Sequence, residues 1–402
     1  MRKSKRSVLF VAICLLVFLC VALNKGLMGL GIIPEKNSSS LEGREYAKLL
    51  EITAATIADG TFQESFDQYV SDGVPMRDVM VLANAAVQRM GIASVSRFFG
   101  YPAYPTFYGS DYVYVPEYDA ILPIALKAAN QEAAYARVHD TLASFATRHP
   151  ERKVFVLEVD NPANSSANPT YNLVSNPAGT DDMHRSMRDG LPKNVTMVGH
   201  DCPDSVYLVS AYYRTDHHWK ADEAYRSYTE ALTVMMPEGE PVPYEERTFD
   251  YTFVGSTGRA GLMFPAEPVS LMDYHTDLST CSIAIDGKSV SREAFDSWDR
   301  YSRHERNAGI QWQYGDYYHD DVGFLEIHNT AAQDAHGLLI VGNSYTNCME
   351  RFFAANYAHV YKIDARHTNL RADDFLEKHP EVEQILVVGQ VGPITAGALE
   401  AE

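Results

Sequence analysis

Cysteine is scarce in this chain, and its few copies are poorly placed for pairing. Of five cysteines, Cys14 and Cys20 lie inside an N-terminal apolar run, which leaves Cys202, Cys281 and Cys348 beyond it. Three thiols cannot pair completely, so at most one disulfide joins them and a disulfide-built scaffold is excluded. Positive charge is the second shortage: 34 Lys and Arg face 53 Asp and Glu, a formal net charge of −19. Such a surface repels phosphate backbones, which removes nucleic acid as a partner and leaves a neutral sugar or small ester open. The sequence has no C-x-x-C, no H-E-x-x-H, no internal repeat and no low-complexity tract. Hydrophobic residues make up 46% and charged residues 22%, the balance of a chain that folds around a core.

The long apolar run is at the start. Arg2, Lys3, Lys5 and Arg6 precede unbroken apolar sequence from Val8 to Leu23, closed by Asn24 and Lys25. At about 1.5 Å per residue this covers roughly 24 Å, a little under the ~30 Å hydrocarbon core, and flanking residues with local thinning make up the rest. The run is long for a cleaved signal and no A-x-A-like site follows it, Gly29-Leu30-Gly31 being only a weak substitute. An uncleaved signal anchor is therefore expected, with the basic end in the cytoplasm and everything after Lys25 outside. On this reading residues 1–24 are a cytoplasmic stub and anchor helix, 25–61 a linker and helix, and 62–402 a catalytic domain.

Within the exported part, Glu42–Ile57, Phe62–Asp72 and the stretch between Pro75 and Gly91 read as helices. Another is expected from Ile124 to Arg148, opened by Pro123. Apolar, β-branched runs follow at Lys153–Val159, Asn194–Val198, Val206–Tyr212, Gly337–Val341, Val360–Ile363 and Gln384–Val388, all read as strands. Helices at Lys220–Met235, Met349–Ala358 and Asp373–Lys378 alternate with them. That alternation predicts a three-layer α/β/α domain with a mostly parallel sheet. Between about 237 and 335 the alternation fails, and a β-rich insertion is expected.

Two segments carry chemistry. Tyr212–Trp219 (YYRTDHHW) and Leu339–Thr346 (LIVGNSYT) each follow an expected strand, and open parallel sheets bind ligands outside the carboxyl ends of their strands. A serine hydroxyl needs a neighbouring base to become a nucleophile, and the base needs a carboxylate to fix its tautomer. Ser344, His218 and Asp216 supply that set. Backbone N–H groups at a helix start after Ser344 would face a developing oxyanion. Singly, each residue has a plainer role: Ser344 as a turn residue, Asp216 as a cap of the next helix, His217 as a surface residue, Trp219 as core. Their joint occurrence raises the catalytic reading.

Thr215–Trp219 (TDHHW) resembles the signature of the DHHW-motif proteins, relatives of the alginate O-acetyltransferases, whose motif is D-x-H-W. Phe62–Val81, Tyr108–Tyr112, Tyr251–Gly261 (YTFVGSTGRAG) and His359–Arg366 (HVYKIDAR) resemble further segments of that family, so the likeness covers about residues 62 to 390. The resemblance implies an SGNH-hydrolase-like fold with a permuted triad order, Asp-x-His before Ser. Carried over by position, Asp216 is the orienting acid, His218 the base and Ser344 the nucleophile. Asn343 departs from the usual Asp or Thr before the serine. Asn343, Tyr345, Arg259 and Arg366 are expected to help bind substrate, although a structural salt bridge suits either arginine as well. The implied activity is O-acetyl transfer to, or acetyl removal from, an extracellular polysaccharide, with a membrane-bound O-acyltransferase as donor and no cofactor. Two other classes stay open. A metal-dependent hydrolase would gather His200-Asp201, Asp216-His217-His218 and His319-Asp320-Asp321 around a cation. A carbohydrate-binding scaffold would keep the fold without the reaction.

Overall fold

The computed structural model describes residues 5–34, 37–39, 41–42, 44–127, 132–160, 162–163, 165–173, 188–199, 202–249, 253–265, 267, 269–274, 278–295, 314–318, 321–389 and 397–400. The chain divides into two compact units, one of residues 1–99 with 106–109 and one of 100–105 with 110–402.

The first unit is helical: α1 (Lys5–Gly29), α2 (Thr61–Asp72) and α3 (Arg77–Phe99). The helix expected over Glu42–Ile57 is reduced to Ala54–Ala58. The Asp72 carboxylate explains the loss, because it draws in the Arg44 guanidinium (2.7 and 2.9 Å) and the Ala47 backbone N–H (2.9 Å), away from helical pairing. Gly91 does not end α3 as expected. A single interior glycine costs about 1 kcal/mol, which a helix of 23 residues absorbs. Helix α1 and, by length and composition alone, α3 are both long and apolar enough to cross a membrane.

The second unit is a mixed α/β structure around an eight-stranded sheet. In chain order its strands are β1 (Lys153–Glu158), β2 (Val195–Val198), β3 (Cys281–Ile285), β4 (Lys288–Val290), β5 (Phe324–Asn329), β6 (Asp334–Gly342), β7 (Tyr357–Ile363) and β8 (Val382–Gly389). Across the sheet the order is β4-β3-β5-β7-β6-β8-β1-β2. The five strands from β7 to β2 are mutually parallel, and β5, β3 and β4 extend that edge antiparallel. Part of the segment expected as an insertion is therefore sheet itself, while Tyr244–Phe249 and Val269–Tyr274 pair as a separate hairpin.

The continuous apolar runs follow from burial on both faces. Phe155, Leu157, Leu338, Ile340, Leu386 and Val388 point into one core, and Val154, Val156, Leu339, Val341, Ile385 and Val387 into the other. Alternation of side chains along a strand sends neighbours to opposite faces, so both faces are lined mainly by apolar residues, with Lys362 of β7 a buried exception. Helices α4 (Glu132–Arg148) and α8 (Ala372–Lys378) cover one face; α6 (Ala221–Met235) and α7 (Glu350–Asn356) cover the other. Where a longer helix was expected from Ile124, residues 120–123 are a strand and α4 begins at Glu132.

One expected strand is a helix. Val206–Tyr212 falls in α5 (Ser205–Ala211), because the Asp204 side chain accepts from Tyr207 N at 2.8 Å and caps the first turn. The histidine segment thus follows a helix. It still reaches the carboxyl edge of the sheet, since the Tyr212 hydroxyl donates to the carbonyl of Asp160, just beyond β1.

Candidate active site

Strand β6 ends at Gly342, and Ser344–Thr346 form a single 3-10 turn. Asn343 caps it: its side-chain Oδ1 accepts from Tyr345 N at 3.2 Å and its carbonyl accepts from Thr346 N at 3.0 Å. Asn347 N then donates to the Ser344 carbonyl at 3.2 Å. These bonds use the N–H groups of Tyr345, Thr346 and Asn347 and leave out that of Ser344. Gly389, at φ +128° at the end of β8, passes so near Asn343 that a β-carbon there would lie 2.7 Å from Oδ1. Only glycine combines that backbone with that approach.

The other half of the site is the loop closed by the Tyr212–Trp219 bridge and by a Tyr213 N to His218 O bond of 3.2 Å. Asp216 turns back on this loop. Its Oδ1 accepts from the His218 backbone N–H at 3.0 Å and lies 2.5 Å from His218 Nδ1, while Oδ2 accepts from Ser256 N at 2.6 Å. The segment Gly255–Arg259 is locked beneath it by Gly255 N to Thr215 Oγ1 (3.0 Å) and Gly258 N to Thr215 O (2.9 Å). A β-carbon on Gly255 would run into the Asp216 side chain, so this close approach needs glycine.

The two halves meet. His218 Nε2 lies 2.7 Å from Ser344 Oγ. Ser344 is half-buried, whereas His218 and Asp216 are buried. Burial alone would raise the Asp216 carboxyl, but its electrostatic attraction to the His218 and His217 rings and the bonds from His218 and Ser256 hold it well below the usual carboxylate range. His218 is stacked on Tyr314, ring centres 3.9 Å apart and ring planes nearly parallel, and Tyr345 stands 5.1 Å away. His217 is partly exposed, with Nδ1 2.8 Å from Ser256 Oγ. Burial first, and His218 second, push its imidazole down to about 4, so it is neutral near pH 7.

Other expected site residues fall in several places. Asn343 borders Ser344 and is half-buried. Tyr345 lies behind the site at 2% exposure, its hydroxyl donating to the His217 carbonyl at 2.6 Å. Arg366 pairs with Asp364 (2.7 Å) and Asp321 (3.0 Å), the salt-bridge role the sequence left open for it. Arg259 lies in the last turn of the short helix Ser256–Ala260 and is half-buried. Sequence reasoning missed Tyr314, whose register with His218 no local pattern announces, and Ser256, which stood in a noticed segment without a role. Burial pushes the Cys348 thiol up to about 12.

For the metal reading, Asp216, His217 and His218 bring one ligand atom each within 4.8 Å of one another. However, the 2.5 Å from Asp216 Oδ1 to His218 Nδ1 is a hydrogen-bond separation. Two ligands each about 2.0–2.2 Å from one zinc ion stand farther apart than that. His200, Asp201, His319 and Asp320 lie outside the described residues.

No family model and no curated protein matches the chain. Solved structures do. A DHHW family protein from Eubacterium siraeum aligns with a TM-score of 0.55 and 19% identity, over 72% of this chain and 94% of its own. Bacillus cereus PatB1, solved with a sulfonyl adduct, aligns with a TM-score of 0.56 and 12% identity, over 73% of this chain and 99% of its own. At these identities the likeness is one of fold, and it agrees with the resemblance read from Thr215–Trp219.

Proposed function

We propose that this chain is an extracytoplasmic serine-dependent O-acetyltransferase or acetylesterase of SGNH-like fold, acting on a cell-surface or exported polysaccharide through an acyl-enzyme on Ser344. The observation that carries the reading is the unbroken sequence of contacts, 2.5 Å from Asp216 to His218 and 2.7 Å from His218 to Ser344. Ser344 Oγ attacks the acetyl carbonyl as its proton passes to His218 Nε2. Asp216, kept ionised, holds Nδ1–H and steadies the imidazolium. The Ser344 N–H, which its own turn does not use, is a donor for the oxyanion. Collapse expels the donor's oxygen leaving group, which takes the proton from His218. A sugar hydroxyl, or water, then gives its proton to His218 and attacks the acetyl-serine, releasing Ser344.

The sulfonyl adduct of PatB1, a structure of the same fold, supports an activated nucleophile in such a fold, which is what a sulfonyl reagent captures. Resemblance to the alginate O-acetyltransferase relatives favours a sugar acceptor and a membrane-bound acyltransferase as donor. Ser344→Ala tests the proposal. In detergent-extracted full-length protein it should lower hydrolysis of a chromogenic acetate by about 10³-fold or more and abolish labelling by a sulfonyl fluoride. Unchanged activity that a chelator removes would transfer the reaction to a metal. Absence of any acetyl turnover or labelling in the wild type would leave a sugar-binding scaffold.

A further inference from the structure

We propose that Lys362 and Glu350 are positioning residues for the nucleophile: a buried ion pair that holds the Ser344 turn against His218. The proposal rests on the triad reading above. Lys362 lies in β7 and Glu350 opens α7; both side chains are fully buried, with Nζ 2.7 Å from Oε1. Two charges withdrawn from water are a poor way to stabilise a core, because apolar residues of similar size do as well or better. The bonds that radiate from the pair give it another task.

Glu350 Oε1 accepts from Thr346 Oγ1 at 2.8 Å, and Lys362 Nζ donates to Asn347 Oδ1 at 2.6 Å. Thr346 and Asn347 are the last residue and the C-cap of the turn that Ser344 begins. The Thr346 hydroxyl is also 2.9 Å from the Asn343 carbonyl, so its one proton is shared between the pair and the start of the turn. Beyond it, Asn347 Nδ2 donates to Asp321 Oδ1 at 3.2 Å, and Asp321 meets Arg366 at 3.0 Å. The turn is thus held by directional, charge-assisted bonds, which fix orientation where apolar packing allows sliding. Without them the hydroxyl can drift from Nε2, and a misplacement of about 1 Å costs on the order of 10²-fold in rate.

The test uses full-length protein in detergent. Lys362→Met combined with Glu350→Gln removes both charges and leaves no ion buried alone. Thr346→Val keeps the pair and cuts its bond to the turn. The double variant should lose about 10- to 100-fold in kcat on a chromogenic acetate, with KM within about twofold and the thermal midpoint retained. Sulfonyl fluoride labelling of Ser344 should slow by the same factor. Thr346→Val should lose about 10-fold, again in kcat. If the double variant does not fold, Thr346→Val decides alone. Wild-type kcat and labelling rates in the folded variants would overturn the proposal while the triad reading stands. A wild type that fails to label at Ser344 would remove both.

Discussion

Asp216 carries three bonds on two oxygens, and each has a different origin in the sequence. The bond to His218 N is a local turn, available to any Asp two residues before its partner. The bond to Nδ1 is the one the proposed mechanism uses, and the bond from Ser256 arrives from 40 residues away. Asp216→Asn keeps the shape but favours the wrong imidazole tautomer. It should lower kcat by about 10³- to 10⁴-fold with KM little changed, measured on a chromogenic acetate. Nearby, Glu267 is 3% exposed and accepts the Arg214 N–H on both oxygens at 2.8 and 2.9 Å. Burial, with a smaller push from Asp216, raises its carboxyl from 4.5 to about 7 against the pull of Arg214 and Lys220. Between those values the folded protein holds a proton that the unfolded chain has released, so this group's contribution falls as pH rises. At about 1.4 kcal/mol per tenfold change in proton affinity, the fall is on the order of 3 kcal/mol. His217 has the opposite sign: its lowered imidazole contributes stability that is present above 6.5 and lost as pH falls towards about 4. The two oppose each other over most of the range from 4.5 to 6.5. Glu267→Gln should therefore uncover a stability that rises with pH, its advantage over wild type growing from pH 4.5 to 7.5 in urea unfolding.

Elements were legible where one physical cause decided them. The run Leu338–Val341 reads as a buried strand because both faces are covered, and α6 reads as a helix because Ala224, Tyr228, Ala231, Leu232 and Met235 share a stripe. Val206–Ala211 misled because its apolar, β-branched composition suits a strand, while a single cap at Asp204 decides for helix. The residues of the Asp216–His218–Ser344 contact chain were legible in two motifs, but the Glu350–Lys362 pair belongs to neither, and its contact exists only once β7 and α7 are packed. Gly255 marks the same boundary between motif and fold. Gly255→Ala should leave the sheet core intact yet displace Asp216, lowering kcat by about 10-fold or more at an unaltered far-ultraviolet dichroism spectrum. Leu232→Ala should do the reverse. Fully buried in α6, it should cost about 2–5 kcal/mol in urea unfolding while kcat per folded molecule is retained.

For the whole molecule, the number of membrane crossings decides on which side the α/β unit lies and the proposed reaction would occur. One crossing by α1, with Arg2, Lys3, Lys5 and Arg6 held in the cytoplasm, exports the α/β unit; a second crossing by α3 would return it. Both helices are long and apolar enough to span, so length and composition alone do not separate them. Charge does. Helix α3 contains Arg77, Asp78, Arg89 and Arg97, and an arginine near the centre of a span costs about 2.5–3.5 kcal/mol on insertion, whereas α1 has no charge between Val8 and Asn24. Arg89 stands near the middle of α3, where neither end lets it reach the headgroups easily. A single crossing is therefore the expected outcome, and it is what the proposed activity on an exported polysaccharide requires. In intact spheroplasts of an expressing bacterium, external protease should digest the α/β unit, and alkaline carbonate should leave the full-length chain in the membrane fraction. Digestion only after lysis would mean that α3 also crosses, and the extracytoplasmic assignment would fall with it.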